Sequence, residues 1–250
     1  MTDPTTAALP ALGFSSAGCT DTGPCREINE DAFLVRDGLA PGVGLWAVAD
    51  GMGGHQAGDV ASKLVVDTLV ELEAPSSGHD FLLEVEGALQ GANAAMLYLA
   101  GEIGPAAVVG STVAALLAYG GHYACLWAGD SRVYLLREGR LTQLTRDDSV
   151  VQTLLDGGLI SQAQARVHRQ ANVLTRALGA RTELQLSLSE GPMQAGDVYL
   201  LCTDGLSNVL DEQDLVRALE TPRTAAAALV AQALEQGATD NLTALVVASR

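Results

Sequence analysis

Basic residues are scarce in this chain of 250 residues, since 14 Lys and Arg stand against 30 Asp and Glu and the formal net charge is −16. Binding to duplex nucleic acid depends on neutralising phosphates with basic side chains, so this balance argues against a nucleic-acid partner. The excess acid has two interpretations, a solvated acidic surface or carboxylates that converge on hard cations. Only the positions of the acids decide between them.

Cysteines are also few, and their spacing matches no metal or redox motif. Cys19, Cys25, Cys125 and Cys202 contain no C-x-x-C pair and no zinc-ligand spacing. This favours reduced thiols in a cytoplasmic protein. A chain of this length buries enough surface to fold without disulfides. Neither Cys19 nor Cys125 begins the Cys-x5-Arg loop of the cysteine phosphatases.

Long uninterrupted apolar runs and targeting signals are missing. The most apolar region, residues 108–128, is split by Gly120-Gly121 into two strand-length pieces. It therefore predicts a hairpin, because a membrane-spanning helix needs about 20 uninterrupted apolar residues. The N-terminus carries an acid and no basic residue before its apolar stretch, unlike a secretory signal. We expect no association with a membrane.

The order of the apolar patterns predicts one α+β domain. Strands are predicted at residues 31–36, 43–49, 112–119, 122–128, 132–137, 141–144, 183–188, 197–203 and 242–248. Helices are predicted at residues 57–72, 81–99, 211–219 and 224–236. Because strands cluster in the sequence, antiparallel sheets with helices packed outside them are favoured over a parallel sheet. Residues 1–12 are predicted to be a flexible arm, and 145–175 a surface excursion from the 13–250 domain.

Four carboxylates stand at the ends of the most apolar segments. Asp50, Asp130 and Asp204 each follow such a segment, and Asp240 precedes the last one. A carboxylate at this place is costly unless a charge or a strong donor compensates it. If the strand ends meet, these groups repel one another and become protonated unless cations lie between them. Oxygen ligands without a histidine pattern favour magnesium, manganese or calcium over zinc.

Ordinary turns are the alternative interpretation of these Asp-Gly and Asp-Asn pairs. That alternative is preferred for Asp37-Gly38 and Asp156-Gly157, which follow no comparable buried run. Four sites at the ends of the most apolar segments favour the cation site. Near Glu30 in the sequence lies Arg26, which has no obvious carboxylate partner and whose planar fork matches a phosphate. A surface salt bridge is the alternative for Arg26.

Six short strings occur in one order and cover nearly the whole chain from about Gly13. They are R-x-x-N-E-D (26–31), A-D-G-M-G-G-H-x-A-G (49–58), G-S-T (110–112), G-D-S-R (129–132), T-D-G-L (203–206) and D-N-x-T (240–243). Together they resemble the metal-dependent protein phosphatases of the protein-phosphatase-2C type, in their short bacterial form. Each string alone is weak evidence, whereas the ordered set is specific.

The resemblance implies a four-layer sandwich, with two central antiparallel sheets flanked by helices and a metal site at one edge. It implies two Mn²⁺ or Mg²⁺ ions and, in many bacterial members, a third and weaker one. The positions that match metal ligands are Glu30, Asp50 as the bridge, Gly51 through its carbonyl, Asp204 and Asp240, with Asp130 beside Asp204 for the third ion. Asp31 would orient the attacking water, and Arg26 would hold the substrate phosphate.

The implied activity is hydrolysis of phosphoserine and phosphothreonine on proteins by water that bridges two ions. The implied partners are phosphorylated proteins, including a bacterial Ser/Thr kinase and its substrates, and a monomer is expected. Two departures concern the site. Met52 stands where larger relatives have a histidine proposed as the general acid, and Asp148 stands where relatives often have a histidine. The residues 145–175 resemble the family's flap.

Three other functions fit the residues less well. Residues 51–56 suggest a dinucleotide fingerprint but lack its third glycine, and Asp50 would repel a pyrophosphate. An inactive relative that serves as a binding module is disfavoured by the intact set of acids. Ser131 does not lie in the Gly-x-Ser-x-Gly turn of serine hydrolases.

Overall fold

The computed structural model describes residues 12–53 and 57–250. The predicted N-terminal arm therefore lies outside the described residues, except for Leu12, which packs against the core between the two sheets. Within these two ranges no helix combines the length and the apolar character that crossing a membrane requires.

Eleven strands and seven helices lie in the described part of the chain. The strands are β1 (Phe14–Asp21), β2 (Asp31–Ala40), β3 (Val43–Gly53), β4 (Val109–Ser111), β5 (Val113–Tyr119), β6 (His122–Ala128), β7 (Arg132–Arg137), β8 (Arg140–Gln143), β9 (Ser187–Pro192), β10 (Val198–Cys202) and β11 (Leu242–Ser249). The helices are α1 (Ala57–Val70), α2 (Gly78–Ile103), α3 (Val150–Asp156), α4 (Gln162–Arg166), α5 (Asp204–Ser207), α6 (Glu212–Leu219) and α7 (Pro222–Glu235).

The strands form two antiparallel sheets. The first has the order β1-β11-β10-β7-β8, and the second has the order β2-β3-β5-β6-β9. The short strand β4 pairs with the last residues of β3. Tight turns join β5 to β6 and β7 to β8, and Glu138 and Gly139 in the second turn both have a positive φ. The hairpins predicted from the glycines are confirmed.

Alternate residues of the central strands enter different cores, and this produces the layers. In β3, Trp46 and Val48 pack between the two sheets, whereas Leu45 and Ala47 face helices α1 and α2. The other face of the first sheet packs against α6 and α7. Because both faces of each sheet are covered, the central strands are apolar at almost every position. The predicted α+β four-layer sandwich is confirmed.

Two predictions at the edges of the sheets are wrong. No strand is predicted at residues 14–21, where β1 forms by pairing with β11 from Phe14 to Asp21. The strand predicted at 183–188 lies at Ser187–Pro192, as β9, and pairs with β6. Both are edge strands with partly exposed, weakly apolar residues, so their place is set by the neighbouring strand and not by their own pattern.

The structure also corrects one turn assignment and the end of one strand. Asp37 is not in a turn: it lies in β2 and accepts hydrogen bonds from Trp46 Nε1 (2.8 Å) and Ser16 Oγ (2.6 Å). The chain reverses instead at Gly42, which has a positive φ. Strand β3 does not end before Asp50, because its last residues pair with β4.

The excursion at 145–175 contains two short helices, α3 and α4. Each begins at a serine N-cap, Ser149 for α3 and Ser161 for α4, whose hydroxyl accepts a backbone N–H of the first turn. A bridge between Ser149 and Leu174 brings the two ends of the excursion together. It therefore starts and finishes at one place on the sandwich.

Candidate active site

Strand ends from both sheets meet at one edge of the sandwich. From the second sheet, Asp31 begins β2 and pairs across the strands with Asp50 of β3, and Asp130 follows β6. From the first sheet, Asp204 follows β10 and Asp240 precedes β11. Five carboxylates from distant parts of the chain are thereby brought to a common edge.

A cavity of about 570 Å³ opens at this edge. One wall is formed by residues 172–177 at the exit of the excursion. Asp31 does not line it; this residue is buried, with 8% of its surface exposed, next to Asp50. The other predicted site residues all line the cavity, namely Arg26, Glu30, Asp50, Gly51, Asp130, Asp204 and Asp240.

The backbone of Asp50 is fixed by hydroxyl groups of neighbouring strands. Its N–H donates to Thr112 Oγ1 (3.0 Å), and its carbonyl accepts from Thr112 N–H (2.8 Å) and Ser111 Oγ (3.1 Å). The Thr112 hydroxyl also bonds Ser131 Oγ at 2.7 Å. These contacts leave the Asp50 carboxylate free for the cavity, and they explain the G-S-T and G-D-S-R strings.

Glu30 is positioned by Asn241. The Asn241 side-chain oxygen accepts the Glu30 N–H at 2.9 Å, and its amide group donates to the carbonyls of Thr22 (2.7 Å) and Ile28 (3.0 Å). Asn241 thus ties the segment that carries Arg26 and Glu30 to the start of β11. This role explains the asparagine of the D-N-x-T string.

Two glycines allow Glu30 to approach β3 and α1 closely. The Gly51 N–H donates to the Glu30 carbonyl at 2.9 Å. A Cβ atom at Gly51 would lie 1.8 Å from the Gly58 carbonyl oxygen, and one at Gly58 would lie 2.2 Å from Glu30 Oε1. Since real Cβ atoms do not approach so closely, both positions require glycine.

A chain of hydroxyl groups holds Asp31. Its Oδ2 accepts from Thr203 Oγ1 (2.8 Å) and Thr243 Oγ1 (2.7 Å). Thr243 is bonded in turn to Thr20 (2.8 Å), which accepts from Asn29 Nδ2 (2.9 Å). The other carboxyl oxygen, Oδ1, is buried without a hydrogen-bond partner among the described residues. A buried acceptor of this kind indicates a partner outside the protein.

Asp130 and Asp204 enter the cavity from short connections. Asp130 follows Gly129, whose φ is +112° and whose Cβ would lie 2.7 Å from the Thr112 side chain. Only glycine suits that conformation and that space. Asp204 begins α5 and accepts a hydrogen bond from Asn208 Nδ2 at 3.2 Å.

Arg26 is exposed at the rim of the cavity. Its Nη2 donates to Asp240 Oδ2 at 2.8 Å, with 48% and 36% of the two side chains exposed. The sequence indicates no carboxylate partner for Arg26, so this pairing is a correction. Asp240 lies 214 positions away, and only the fold brings it close.

Burial and mutual repulsion make these acids hard to ionise. Burial is the largest cause that raises the pKa of Asp31 to about 7 and that of Asp130 to about 8. The pKa of Asp50 lies well above its ordinary value because of burial and the nearby charges of Asp31, Asp204 and Asp130. The pKa of Asp204 is raised by burial and by Asp240. Cations among these groups would favour their ionised forms.

The residues present fit hard divalent cations. Their donors are oxygens only, which suits Mg²⁺ and Mn²⁺, and Asp31 Oδ1 has no protein donor in the described residues. Residues 12–53 and 57–250 contain no three acidic, histidine or cysteine side chains gathered closely enough to hold one ion by themselves. Carbonyl and water ligands, which Mg²⁺ commonly keeps, would complete such a site.

Several supporting residues carry no predicted role. Thr112, Ser131, Thr203, Asn241 and Thr243 lie inside the six strings, and that position is the signal that could have identified them. Arg176, which also lines the cavity, lies outside every string and gives no such signal.

Comparisons of the sequence with known proteins identify its family. Residues 26–244 match the family described as Protein phosphatase 2C. The chain is 40% identical over 233 residues to the serine/threonine protein phosphatase PstP of Mycobacterium tuberculosis, an alignment that covers 92% of this chain and 44% of PstP. The chain thus spans less than half the length of that relative.

Solved structures share the fold. PppA, a key regulatory component of T6SS in Pseudomonas aeruginosa, superposes with a TM-score of 0.87 at 41% identity, over 95% of this chain and 98% of that one. The catalytic domain of PstP in complex with two manganese ions superposes with a TM-score of 0.84 at 37% identity, over 95% and 99%. With a family match over most of its length, the chain belongs to the protein phosphatase 2C family.

Proposed function

We propose that this chain is a metal-dependent phosphatase that hydrolyses phosphoserine and phosphothreonine on other proteins. The observation that carries the proposal is the convergence of Asp50, Asp130, Asp204 and Asp240 on one cavity, with Arg26 at its rim. The relatives named as serine/threonine phosphatases support the substrate class. The two manganese ions bound by PstP support the cofactor.

In this proposal the acids at the cavity hold Mn²⁺ or Mg²⁺. Asp50 would hold both of two ions, Asp204 and Asp240 would hold one of them, and Glu30 with the Gly51 carbonyl would hold the other. Asp130, beside Asp204, would hold a third and weaker ion. Such ions neutralise phosphate charge and lower the pKa of water towards about 7, so that hydroxide is available near neutral pH.

Arg26 and Asp31 act on the substrate and on water. The Arg26 guanidinium binds two phosphate oxygens through its planar fork. Its ion pair with Asp240 is exposed, and such pairs contribute little, so the guanidinium is available to the substrate. The Asp31 carboxyl, fixed by its two threonines, orients the attacking water through the oxygen that has no protein donor in the described residues.

The partners in this proposal are phosphorylated proteins, including a Ser/Thr kinase and its substrates, and the chain acts as a monomer. Met52 cannot protonate the leaving alcohol, because its side chain has no ionisable proton.

The first test compares Asp204→Asn with the unmodified chain in the hydrolysis of a phosphothreonine peptide. We expect the activity to require Mn²⁺ or Mg²⁺. In Asp204→Asn we expect the activity to fall at least about 100-fold, because losing a residue that only orients a metal ligand already costs up to about 100-fold. The fold should persist, since the change is isosteric, and circular dichroism checks this.

Asp67→Asn is the matched control, because Asp67 is an exposed acid of α1 that does not line the cavity. It should retain full activity. Undiminished turnover in excess chelator would refute the proposal, and a preference for phosphotyrosine peptides would refute its substrate class.

A further inference from the structure

The first residues of the excursion are hydrogen-bonded to the loop that carries Asp130. Asp148 is almost fully buried, with 5% of its surface exposed. Its N–H donates to the Gly129 carbonyl at 2.9 Å, and its Oδ2 accepts the Gly129 N–H at 3.2 Å. Gly129 directly precedes Asp130, so the contact lies one residue from the cavity.

The exit of the excursion is fastened to the same residue. The Thr175 N–H donates to the Asp148 carbonyl at 2.7 Å. Arg176 donates to Asp148 Oδ1 through Nε at 2.9 Å and also through Nη2. Asp148 therefore joins three segments, and its buried charge is compensated by Arg176.

This fastening sets the position of the Arg176 guanidinium. Arg176 lines the cavity with 36% of its side chain exposed, on the wall formed by residues 172–177. A guanidinium has five N–H donors. Arg176 uses an N–H of Nε and one of Nη2 to bond Asp148, its acceptor among the described residues. The remaining N–H groups of the guanidinium are available to a bound molecule.

The location on the wall indicates which part of a substrate Arg176 meets. The acids and Arg26 surround the place where a phosphate is bound in the proposed function. Arg176 comes from a different segment, the wall formed by residues 172–177, and a polypeptide that places its phosphorylated residue in the cavity must pass along the walls. Main-chain carbonyl oxygens of that polypeptide are suitable acceptors for its remaining donors.

We propose that Arg176, held by Asp148, is a specificity-determining residue that binds the polypeptide beside the phosphorylated residue. The inference rests on the proposed function and adds a substrate contact to it. Because the ion pair fixes the guanidinium before binding, little conformational entropy is lost when a peptide carbonyl is bound. Arg176 therefore contributes to affinity for phosphopeptides and not for small phosphate esters.

The experiment compares two substrates, a phosphothreonine peptide and p-nitrophenyl phosphate, in steady-state kinetics with Mn²⁺. For Arg176→Gln we expect KM for the phosphopeptide to rise about tenfold, as the loss of a charged hydrogen bond implies. Its kcat for the peptide, and kcat/KM for p-nitrophenyl phosphate, should stay within about twofold. Arg176→Lys, which keeps the charge beside Asp148, should restore part of the peptide affinity.

Arg169→Gln is the matched control, since Arg169 is an exposed arginine of the same excursion that does not line the cavity. It should leave both substrates unaffected. Asp148→Asn should raise KM for the phosphopeptide selectively, because Arg176 loses the partner that positions it. Thermal unfolding of each variant shows that it is folded.

An equal loss of kcat/KM on both substrates in Arg176→Gln would overturn the inference, because it would indicate that the ion pair with Asp148 has a purely structural role. Failure of the unmodified chain to hydrolyse either substrate would instead reject the proposed function. In that case the binding of a fluorescein-labelled phosphothreonine peptide, measured by fluorescence anisotropy, still tests the contact proposed for Arg176. Arg176→Gln must weaken that binding about tenfold, and unchanged affinity would overturn the contact.

Discussion

At the scale of single residues, the ionisation of Asp31 is a balance between burial and hydroxyl donors. Burial raises its pKa, whereas the hydrogen bonds from Thr243 and Thr203 lower it, and the result is a pKa of about 7. The donors favour the charged form because they bond more strongly to a carboxylate than to a neutral acid. Thr20 and Asn29 extend this chain of hydrogen bonds and polarise it.

Thr243→Val tests this balance. The variant keeps the shape of the side chain and removes one donor to the Asp31 carboxylate, so the pKa of Asp31 rises further. If ionised Asp31 orients the attacking water, the acid limb of the pH–rate profile moves to higher pH by about one unit, the equivalent of one charged hydrogen bond. Activity then falls near pH 7 and recovers in more alkaline solution.

The control is Thr142→Val, at an exposed threonine of β8. It should leave the pH–rate profile of the unmodified chain unchanged. If the acid limb of the pH–rate profile has the same midpoint in Thr243→Val as in the unmodified chain, the ionisation of Asp31 does not determine that limb.

At the scale of elements, the start of α1 is built around Glu30. The backbone of Gly58, in the first turn of the helix, lies against the Glu30 carboxylate, and this contact opposes the rise in the pKa of Glu30 that burial causes. A carboxylate at a helix N-terminus is also stabilised by the helix dipole. The bare Cα of Gly58 makes this contact possible.

Gly58→Ala should displace the Glu30 carboxylate, since the new Cβ would lie 2.2 Å from Oε1. We expect the Mn²⁺ concentration for half-maximal activity to rise about tenfold or more, in the range found when a metal ligand loses its orienting partner. The measurement is activity across a manganese titration.

Gly87→Ala in the middle of α2 is the matched glycine, because nothing lies within 4 Å of its Cβ position. It should leave the manganese dependence unchanged and raise the free energy of unfolding by about 0.5–1 kcal/mol, the usual helix preference for alanine. An unchanged manganese requirement in Gly58→Ala would contradict the role given to Glu30.

The elements that the sequence predicts well are those with strong patterns of their own. Strands β10 and β11 are continuous apolar runs because both faces of the sheet are covered, and the period of α1 is plain. Strands β1 and β9 are edge strands, whose polar residues take their conformation from one neighbour. Their positions depend on tertiary pairing, which the local sequence does not encode.

The candidate site divides in the same way. Asp50, Asp204 and Asp240 are predictable because a carboxylate beside a buried strand is costly and therefore stands out. The pairing of Arg26 with Asp240 and of Arg176 with Asp148 joins residues that are 214 and 28 positions apart. Such contacts follow from the fold, and no spacing in the sequence indicates them.

At the scale of the whole molecule, the acids of the cavity oppose folding at neutral pH when no cation is bound. The chain already carries a formal charge of −16, and the pKa values of Asp31, Asp50, Asp130 and Asp204 are all raised in the fold. A carboxyl whose pKa is higher in the folded state binds more protons there than in the unfolded state. Its contribution to stability is therefore full below about pH 4 and is lost as pH rises towards 8.

Cation binding should reverse this loss, and more strongly at pH 8 than at pH 6, because the ionised acids that hold the ion are more populated at the higher pH. Saturating Mn²⁺ at about 100 times its dissociation constant would stabilise the fold by about 2.7 kcal/mol. For a chain of this size that corresponds to a rise in Tm of about 5 °C or more at pH 8. The gain at pH 6 should be clearly smaller.

Asp50→Asn separates the contribution of the cavity from that of general charge, because it removes the carboxylate whose pKa is raised by the charges of four other acids. Without metal at pH 8 this variant should melt at a higher temperature than the unmodified chain, since repulsion is relieved. Mn²⁺ should then add little. Differential scanning calorimetry at the two pH values measures both effects. An equal manganese gain at pH 6 and pH 8, or a metal-free Asp50→Asn that is less stable than the unmodified chain, would show that the raised pKa values do not govern the stability of this fold.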